Sequence, residues 1–235
     1  MRTTFVLAAL LPMVSACSHF MPPADEAAGT GEAPSASGCE HDALIENAED
    51  GDSRVAVREG RGGYVYTYAD SHGSTIAPGT DGFAPTSGGV NGTGHALHIA
   101  GKLADVDDAY AGVGFGFVDP KGAYDASRYS GLSFVARIGA GSTNAVRLKV
   151  PDVNTDPDGK KCTKCYNDFG VDFQVSDGWK RYVISFVDLK QESDWGDPLP
   201  SAIDATQLYG LQWQIASRGA EFDLWLDDIS FVGCP

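Results

Sequence analysis

The sequence predicts an all-β fold, arranged either as a sandwich or as a closed barrel. Apolar and polar residues alternate with a period of two in many short segments, as they do in strands that have one buried face. Turn-rich pieces such as GGVNGTG and GAGSTN separate these segments, and no convincing helical pattern extends beyond a turn or two. Many short strands at regular spacing are typical of sandwiches and barrels.

Ten segments of the sequence have this alternating pattern. Tyr64, Tyr66 and Tyr68 alternate with other residues in the second segment. The sixth and seventh segments are the clearest, and they flank a polar loop that contains two cysteines. The predicted strands are residues 44–49, 63–70, 95–101, 110–117, 132–138, 145–150, 169–175, 181–186, 208–215 and 222–231.

Length and charge limit the class of protein and its partners. The chain has 235 residues and a formal net charge of −15. This length allows one medium domain with appendages, which is enough to bury a proper core. Nucleic acid and anionic lipid are disfavoured as partners because like charges repel. A neutral ligand or a cation fits the acidic balance better.

Residues 1–17 are predicted to be an export signal and not part of the fold. Arg2 supplies a positive start, residues 5–14 are apolar, and the segment ends with VSAC at Cys17. The apolar run is too short to span a bilayer. The ending is similar to the lipobox of bacterial lipoproteins, which implies that Cys17 carries a lipid. An ordinary secretory signal that happens to contain a cysteine is the alternative.

The segment after Cys17 is predicted to be a disordered tether. Residues 18–38 are rich in Ala, Gly, Pro and Ser, so they cannot bury enough apolar surface to fold. The folded domain would then be residues 39–235. Ser18 stands where, in the sorting rule of enteric bacteria, Asp retains a lipoprotein at the inner membrane. We therefore expect a protein anchored in the bacterial outer membrane or at the cell surface.

Four cysteines remain besides Cys17, an even number for an oxidising compartment. Cys39 and Cys234 lie at the two ends of the predicted domain, and a disulfide between them would join those ends. Cys162 and Cys165 would then pair locally and stiffen their loop. A four-thiolate zinc site is an alternative, since CxxC is half of one. A redox-active CxxC is another, although the usual strand-to-helix context is missing.

Nine segments carry a resemblance that covers residues 44–232. In chain order they are LIENAEDGD, GYVYTYAD, GTGHALHIAG, YAGVGFGF, YDASRYSGLSFVAR, VRLKVPDVNTDPDG, CYNDFGVDFQV, LYGLQWQI and FDLWLDDISF. Their order resembles that of a bacterial galactose-binding-like jelly-roll family, similar to the family 11 carbohydrate-binding modules and, more distantly, to the complex I intermediate-associated domains. The resemblance implies two antiparallel sheets, a structural calcium ion and a concave face that holds a glycan.

The jelly-roll order would place four predicted strands side by side, those that start at residues 110, 208, 145 and 169. Alternate glycines on the outer side of the first strand would leave bare backbone, and hence room for a flat ligand. Amide and charged groups beside them can pair with sugar hydroxyls. A solvated face, with glycines that relieve crowding, is the alternative. The predicted ligand-binding residues on this face are Tyr110, Gly112, Gly114, Arg147, Lys149, Asp172, Gln174, Gln212 and Gln214.

Aromatic rings are the other expected part of a glycan site, because a ring face stacks on the apolar C–H surface of a sugar. Trp195 lies in the turn-forming sequence SDWGDP, so we expect it to be exposed and include it among the ligand-binding residues. Tyr124 and Tyr166 are further candidates from loops. Trp213 and Trp225 lie within strands and are interpreted as structural, although Trp225 could face outward.

A structural calcium ion is expected between the first and the last strands. In modules of the resembled type, these strands bring carboxylates together, and the corresponding residues here are Glu49, Asp52, Asp227 and Asp228. Oxygen ligands suit calcium, and an unpaired buried carboxylate is costly. Solvated acids at a strand bulge are the alternative. Residues 154–159, NTDPDG, are a second candidate, but they depart from the calcium-loop pattern at its first and twelfth positions.

No catalytic motif of the GxSxG, HExxH or P-loop type is present in the sequence. We therefore expect a non-catalytic, lipid-anchored protein that binds a polysaccharide or an oligosaccharide and meets the membrane through its anchor alone. A structural or adhesive surface scaffold without a glycan ligand is the alternative. An uncharacterised hydrolase is a third hypothesis.

Overall fold

Alternating segments become strands at the places where the sequence predicts them. The structure, a computed structural model, describes residues 42–80, 82–92 and 94–233, and this part of the chain contains twelve strands. They are β1 (Leu44–Glu46), β2 (Val65–Ala69), β3 (Thr75–Ala77), β4 (Thr86–Ser87), β5 (His95–Lys102), β6 (Ala111–Gly116), β7 (Gly131–Ile138), β8 (Ala145–Val150), β9 (Phe169–Gln174), β10 (Lys180–Ser185), β11 (Gly210–Ile215) and β12 (Glu221–Val232).

All ten predicted strands are present, with ends that differ by no more than three residues. The sequence missed β3 and β4, which both pair with β5. Each is two or three residues long, and so short a segment cannot show a period of two.

The strands form two antiparallel sheets. The seven-stranded sheet follows the order β10-β7-β12-β5-β3, with β1 paired to β12 and β4 paired to β5. The five-stranded sheet has the order β2-β6-β11-β8-β9. The predicted two-sheet architecture and the predicted order β6-β11-β8-β9 are therefore confirmed. What the sequence did not assign is the position of β2, which is the edge strand beside β6.

The core lies between the sheets. Trp213 on β11 is fully buried and meets Phe134 on β7, with ring centroids 5.3 Å apart. Val171 and Phe173 on β9 are only partly buried, because β9 is the last strand of its sheet. The other inward-facing residues of this sheet are buried: Val113, Phe115, Val146, Leu148, Leu211 and Trp213.

Cys162 and Cys165 form a disulfide, with Cα atoms 5.1 Å apart, so their local pairing is confirmed. Cys39 and Cys234 lie outside the described residues, and their pairing stays a prediction. The same holds for the lipid on Cys17, the signal peptide of residues 1–17 and the tether of residues 18–38.

The described part of the chain contains three short 3₁₀ turns: Val90–Gly92, Pro157–Gly159 and Phe186–Asp188. Within residues 42–233, leaving aside 81 and 93, no helix is long and apolar enough to cross a membrane.

Candidate functional site

The outer face of the five-stranded sheet, the side turned away from the core, carries two cross-strand rows. One row runs Tyr68, Gly112, Gln214, Arg147, Asp172 across all five strands. The sheet register therefore brings together predicted residues that are up to 102 positions apart, as are Gly112 and Gln214.

The second row lies beside the first. It runs Tyr66, Gly114, Gln212, Lys149, Gly170 across the same strands. Tyr66 and Tyr68 head the two rows, yet neither was among the predicted site residues. The alternation of tyrosines in the second segment was the available signal, but the sequence did not place that segment in this sheet.

The glycines of β6 do not present bare backbone to a ligand, so that expectation is wrong. A Cβ on Gly112 would lie 2.6 Å from the Tyr68 hydroxyl, and a Cβ on Gly114 would lie 3.1 Å from the Tyr66 hydroxyl and 2.8 Å from Gln212 Cγ. The glycines therefore make room for tyrosine side chains of the neighbouring edge strand. Ligand contact on this half of the face would be made by the tyrosines.

Tyr66, Tyr68 and Tyr110 form a row of rings, called the tyrosine row below. Their centroids are 6.2 Å and 6.3 Å apart, with tilted planes. Tyr110 is 43% exposed. Gln212 donates a hydrogen bond of 3.1 Å to the Tyr66 hydroxyl, and burial raises the pKa of Tyr66. Burial also raises the pKa of Tyr68 well above its usual value, and its hydroxyl has no hydrogen-bond partner among the described residues.

Arg147 and Lys149 are fixed on the opposite half of the face. Arg147 lies 3.1 Å from Asp172 and donates to the carbonyl of Lys190. Lys149 donates to the carbonyl of Tyr166 at 3.1 Å. Only 11% and 12% of the Arg147 and Lys149 side chains are exposed. These cations are held as oriented donors and do not reach freely into solvent.

The predicted residue Gln174 is at the margin of this arrangement. It pairs in register with Ala145, one row beyond Asp172, and is exposed. Its side chain lies 3.5 Å from the Asn144 amide. We therefore place Gln174 at the border of the outer face.

Asp168 is a buried carboxylate that sequence reasoning missed. It directly precedes β9 and is 2% exposed. Lys149 Nζ lies 3.1 Å from its Oδ2, so an ion pair within the chain compensates the buried carboxylate. Removing one partner of such a pair is costly. Asp168 therefore holds Lys149 in place on the outer face.

Lys121, also missed, fills the second candidate calcium loop. Its ammonium lies 2.6 Å from Asp156 and 3.2 Å from Asp158. Burial by itself would lower the pKa of Lys121, but the two carboxylates raise it. Asp156 also accepts from the amide of Asp158 and caps the short turn Pro157–Gly159. These acids already have a cation from the chain, which argues against calcium at this loop.

Two exposed aromatic residues lie on neighbouring loops beside β9. Tyr166 is 61% exposed and Trp195 is 42% exposed, so the predicted exposure of Trp195 is confirmed. Asn167 joins the loops by donating to the carbonyls of Glu192 and Trp195. Tyr124, the other loop candidate, is 8% exposed and packs in the core.

The predicted calcium ligands come together only in part. Asp227 is buried and accepts from the amides of Val90 and Asp228. Burial raises its pKa, and the nearby charges of Asp228 and Glu49 add to the effect. The carboxylate of Asp228, however, lies 3.5 Å from Arg181.

The remaining acids near β1 are engaged locally. Asp52 accepts from the amide of Arg54, and Glu49 accepts from that of His95. Glu46, which sequence reasoning missed, is 2% exposed, and burial raises its pKa to about 8. In the described part of the chain, no three carboxylate, histidine or cysteine side chains are grouped to hold a metal ion. Calcium stays a prediction.

Two parallel rows of aromatic, amide and ion-paired groups lie on one face of this β-sandwich. Solved structures of carbohydrate-binding modules have the same fold. The family 11 module from Clostridium thermocellum, in complex with a β-1,3-1,4-mixed-linked tetrasaccharide, is 18% identical with a TM-score of 0.54, over 72% of this chain and 89% of that one.

Two further modules of cellulosomal cellulases from the same organism are similar. A second family 11 structure has 18% identity and a TM-score of 0.53, over 72% of this chain and 87% of that one. A family 30 module has 15% identity and a TM-score of 0.53, over 81% and 96%. At these identities the similarity shows the fold. No protein-family model and no curated protein matches the sequence.

Proposed function

We propose that this protein is a non-catalytic carbohydrate-binding protein that holds a glycan on the outer face of its five-stranded sheet. The observation that carries the proposal is the pairing of the tyrosine row with fixed hydrogen-bonding groups on the same face. Tyr68 and Tyr66 share their cross-strand rows with Gln214 and Gln212, respectively. Such a face offers an apolar half and a polar half to one ligand.

The two halves match the two kinds of surface that a sugar has. The C–H side of a pyranose ring stacks on an aromatic ring, and its hydroxyls both donate and accept hydrogen bonds. Gln212 and Gln214 do both, whereas Arg147 and Lys149 donate only. Because the two cations are already ordered by their own contacts, less conformational entropy is lost when a ligand binds.

Asp168 positions one of these cations. It is 2% exposed and lies 3.1 Å from Lys149 Nζ, so it helps to fix the ammonium on the outer face. Its charge also acts on Tyr66 and Tyr68. We therefore assign Asp168 a positioning role toward Lys149 and not a contact with the sugar.

The anchor and the location are part of the same proposal. The VSAC ending and the tether of residues 18–38 support a lipoprotein held at the outer membrane or the cell surface. Changing Cys17 to Ser should release the protein from membranes or leave it uncleaved. Unchanged lipid incorporation and membrane fractionation of that variant would contradict the anchor.

A structural calcium ion near β1 and β12 is a further part of the proposal. Its support is a pair of buried carboxyl groups: burial raises the pKa of Glu46 and of Asp227, and Glu46 Oε2 has no donor among the described residues. A cation bound beside Asp227 and Glu49, whose charges act on each other, would favour the charged form of Asp227. Calcium should then raise the melting temperature and a chelator should lower it. Equal melting curves with calcium and with the chelator would contradict the calcium proposal.

The glycan proposal is tested by an unbiased polysaccharide screen followed by titration of the best ligand. Tyr110→Ala should weaken that binding by about tenfold or more while the melting temperature stays close to that of the parent. Val183→Ala on the other sheet, also an exposed apolar side chain, is the matched control and should bind as the parent does. A parent that binds no glycan would favour the scaffold alternative.

A further inference from the structure

A pocket lies outside the outer face of the five-stranded sheet. Its volume is about 430 Å³, and it is formed by the loop between β1 and β2 and the loop between β6 and β7. Val118 and Ala123 of the second loop line it. Lys121, between them in sequence, instead pairs with Asp156 and is not among the lining residues. The same loop therefore contributes to two separate surfaces.

The apolar side of the pocket is rigid. Tyr124 lines it and is 8% exposed, with its ring 5.3 Å from that of Phe117 and 5.9 Å from that of Phe231. Arg61 is buried, donates to the Tyr124 hydroxyl and lies over its ring at 5.2 Å. This wall therefore does not need to rearrange to meet a ligand.

The polar side of the pocket is also ordered. Arg128 lies 3.2 Å from Glu59 and donates to the Tyr129 hydroxyl at 2.7 Å. The Ser127 amide donates to Asp125 at 2.9 Å, and its hydroxyl and amide hold the pKa of Asp125 below its usual range. Donors and acceptors thus lie around the apolar wall, each paired with a neighbour on the pocket rim.

We propose that this pocket binds a single sugar ring, either free or at the end of a chain, as a second site separate from the sheet face. The apolar side chains of Val118 and Ala123 suit the C–H side of a ring, and Tyr124, which is 8% exposed, holds this wall in place through its core contacts. Hydroxyls can accept from Arg128 and donate to Glu59 or Asp125. Pockets for small molecules commonly measure about 300–1,000 Å³, so the volume is adequate for one such ring.

Charge selects among sugars. The pocket is lined by the carboxylates of Glu59 and Asp125 and by one cation, Arg128, which Glu59 already pairs. The whole chain carries a formal net charge of −15. A sugar acid therefore meets repulsion, whereas a neutral sugar or an amino sugar does not.

The test is a nuclear magnetic resonance titration of the full chain with glucose, galactose, glucosamine and glucuronate. Ala123→Phe places a ring in the pocket at an exposed position, and Ala140→Phe, in the exposed turn between β7 and β8, is the matched control. We expect saturable shifts at residues 118–128 with a neutral or amino sugar. Ala123→Phe should weaken binding by about tenfold or more, and Ala140→Phe should not. Ser127→Ala, which leaves the apolar wall intact, should weaken it less.

The outcomes separate this site from the sheet face. Tyr110→Ala should leave the shifts at residues 118–128 unchanged, even if the sheet binds no polysaccharide at all. Saturable binding that Ala123→Phe leaves at parent strength would overturn the pocket proposal, as would shifts confined to the tyrosine row. No saturable binding of any of the four sugars would overturn it as well.

Discussion

The outer faces of the two sheets both carry a cross-strand row with aromatic rings, and the rows differ in how those rings are covered. On the seven-stranded sheet, His98, Trp225 and Arg137 lie side by side on β5, β12 and β7. His98 stacks on Trp225 with centroids 3.9 Å apart, and the Arg137 guanidinium lies 4.2 Å from the Trp225 ring. Arg137 also lies 5.1 Å from Trp179.

Two ring nitrogens of that row share one carboxylate partner. Asp223 accepts from the Trp225 indole at 2.6 Å and lies 2.9 Å from His98 Nε2. On the five-stranded sheet, the rings of Tyr66 and Tyr68 are tilted and about 6 Å apart. The Tyr68 hydroxyl has no partner in the described chain. The stacked rings stabilise the seven-stranded sheet, whereas the tilted and separated tyrosine rings offer contacts to a ligand.

The largest effect on stability is expected in β6, whose glycines pack against the side chains of Tyr66 and Tyr68. Gly114→Val should destabilise the fold by about 3 kcal/mol or more, because its Cβ would lie 2.8 Å from the Leu211 carbonyl and from Gln212 Cγ. Denaturant unfolding measures this. Gly178→Val, where a Cβ meets nothing within 4 Å, is the control. If the two variants unfolded alike, Gly114 would not be needed for the packing of Tyr66.

The next prediction concerns the pH dependence of the stability near β1, on the seven-stranded sheet. Burial raises the pKa of Glu46 to about 8, so the folded state favours the protonated form. The stabilisation that Glu46 contributes is fully present below the pKa that this residue has in the unfolded chain. It is lost as the pH rises toward about 8. In calcium-free buffer at pH 7, Glu46→Gln should therefore stabilise by about 3 kcal/mol. A variant that keeps the parent's pH profile would contradict this assignment.

A pair of truncations compares the two rows directly. Trp225→Ala should destabilise by about 2 kcal/mol, because it uncovers His98 and Arg137, and should leave glycan affinity unchanged. Tyr68→Ala should do the reverse, weakening binding more than it lowers stability. Melting temperature and glycan affinity, measured on both variants, show which row stabilises the fold and which row binds the glycan. If Trp225→Ala reduced glycan affinity and Tyr68→Ala did not, the binding face would be the other sheet.

The smallest effects are expected within the polar half of the outer face. Gln212→Ala and Asp172→Ala should each cost about 1 kcal/mol of binding free energy, because a sugar hydroxyl loses its partner. Asp168→Asn should cost less binding free energy than either, because Asp168 is enclosed and acts on the ligand only through Lys149. Calorimetric titration of the three variants gives the order. If all three variants bound the glycan as tightly as the parent, the ligand would lie on the loops around Tyr166 and Trp195.

The sequence by itself determined the strands and the inward residues of the five-stranded sheet. Alternation of apolar and polar residues depends on the strand alone, so it can be read locally. It therefore predicted that Arg147, Lys149 and Gln212 share the outer side of one sheet, and the cross-strand register confirms this. The local disulfide was also predictable, because its cysteines are three positions apart in sequence.

Tertiary structure decided what covers each side chain. The sequence could not show that β2 lies beside β6, so Gly112 and Gly114 were interpreted as open space where Tyr66 and Tyr68 now lie. Nor could it show that Lys121 occupies the loop of Asp156, or that Glu46 is buried while Asp228 meets Arg181. Each of these contacts joins strands or loops far apart in sequence. A local pattern fixes which side of a strand a residue faces, but the pairing of distant strands decides what it meets there.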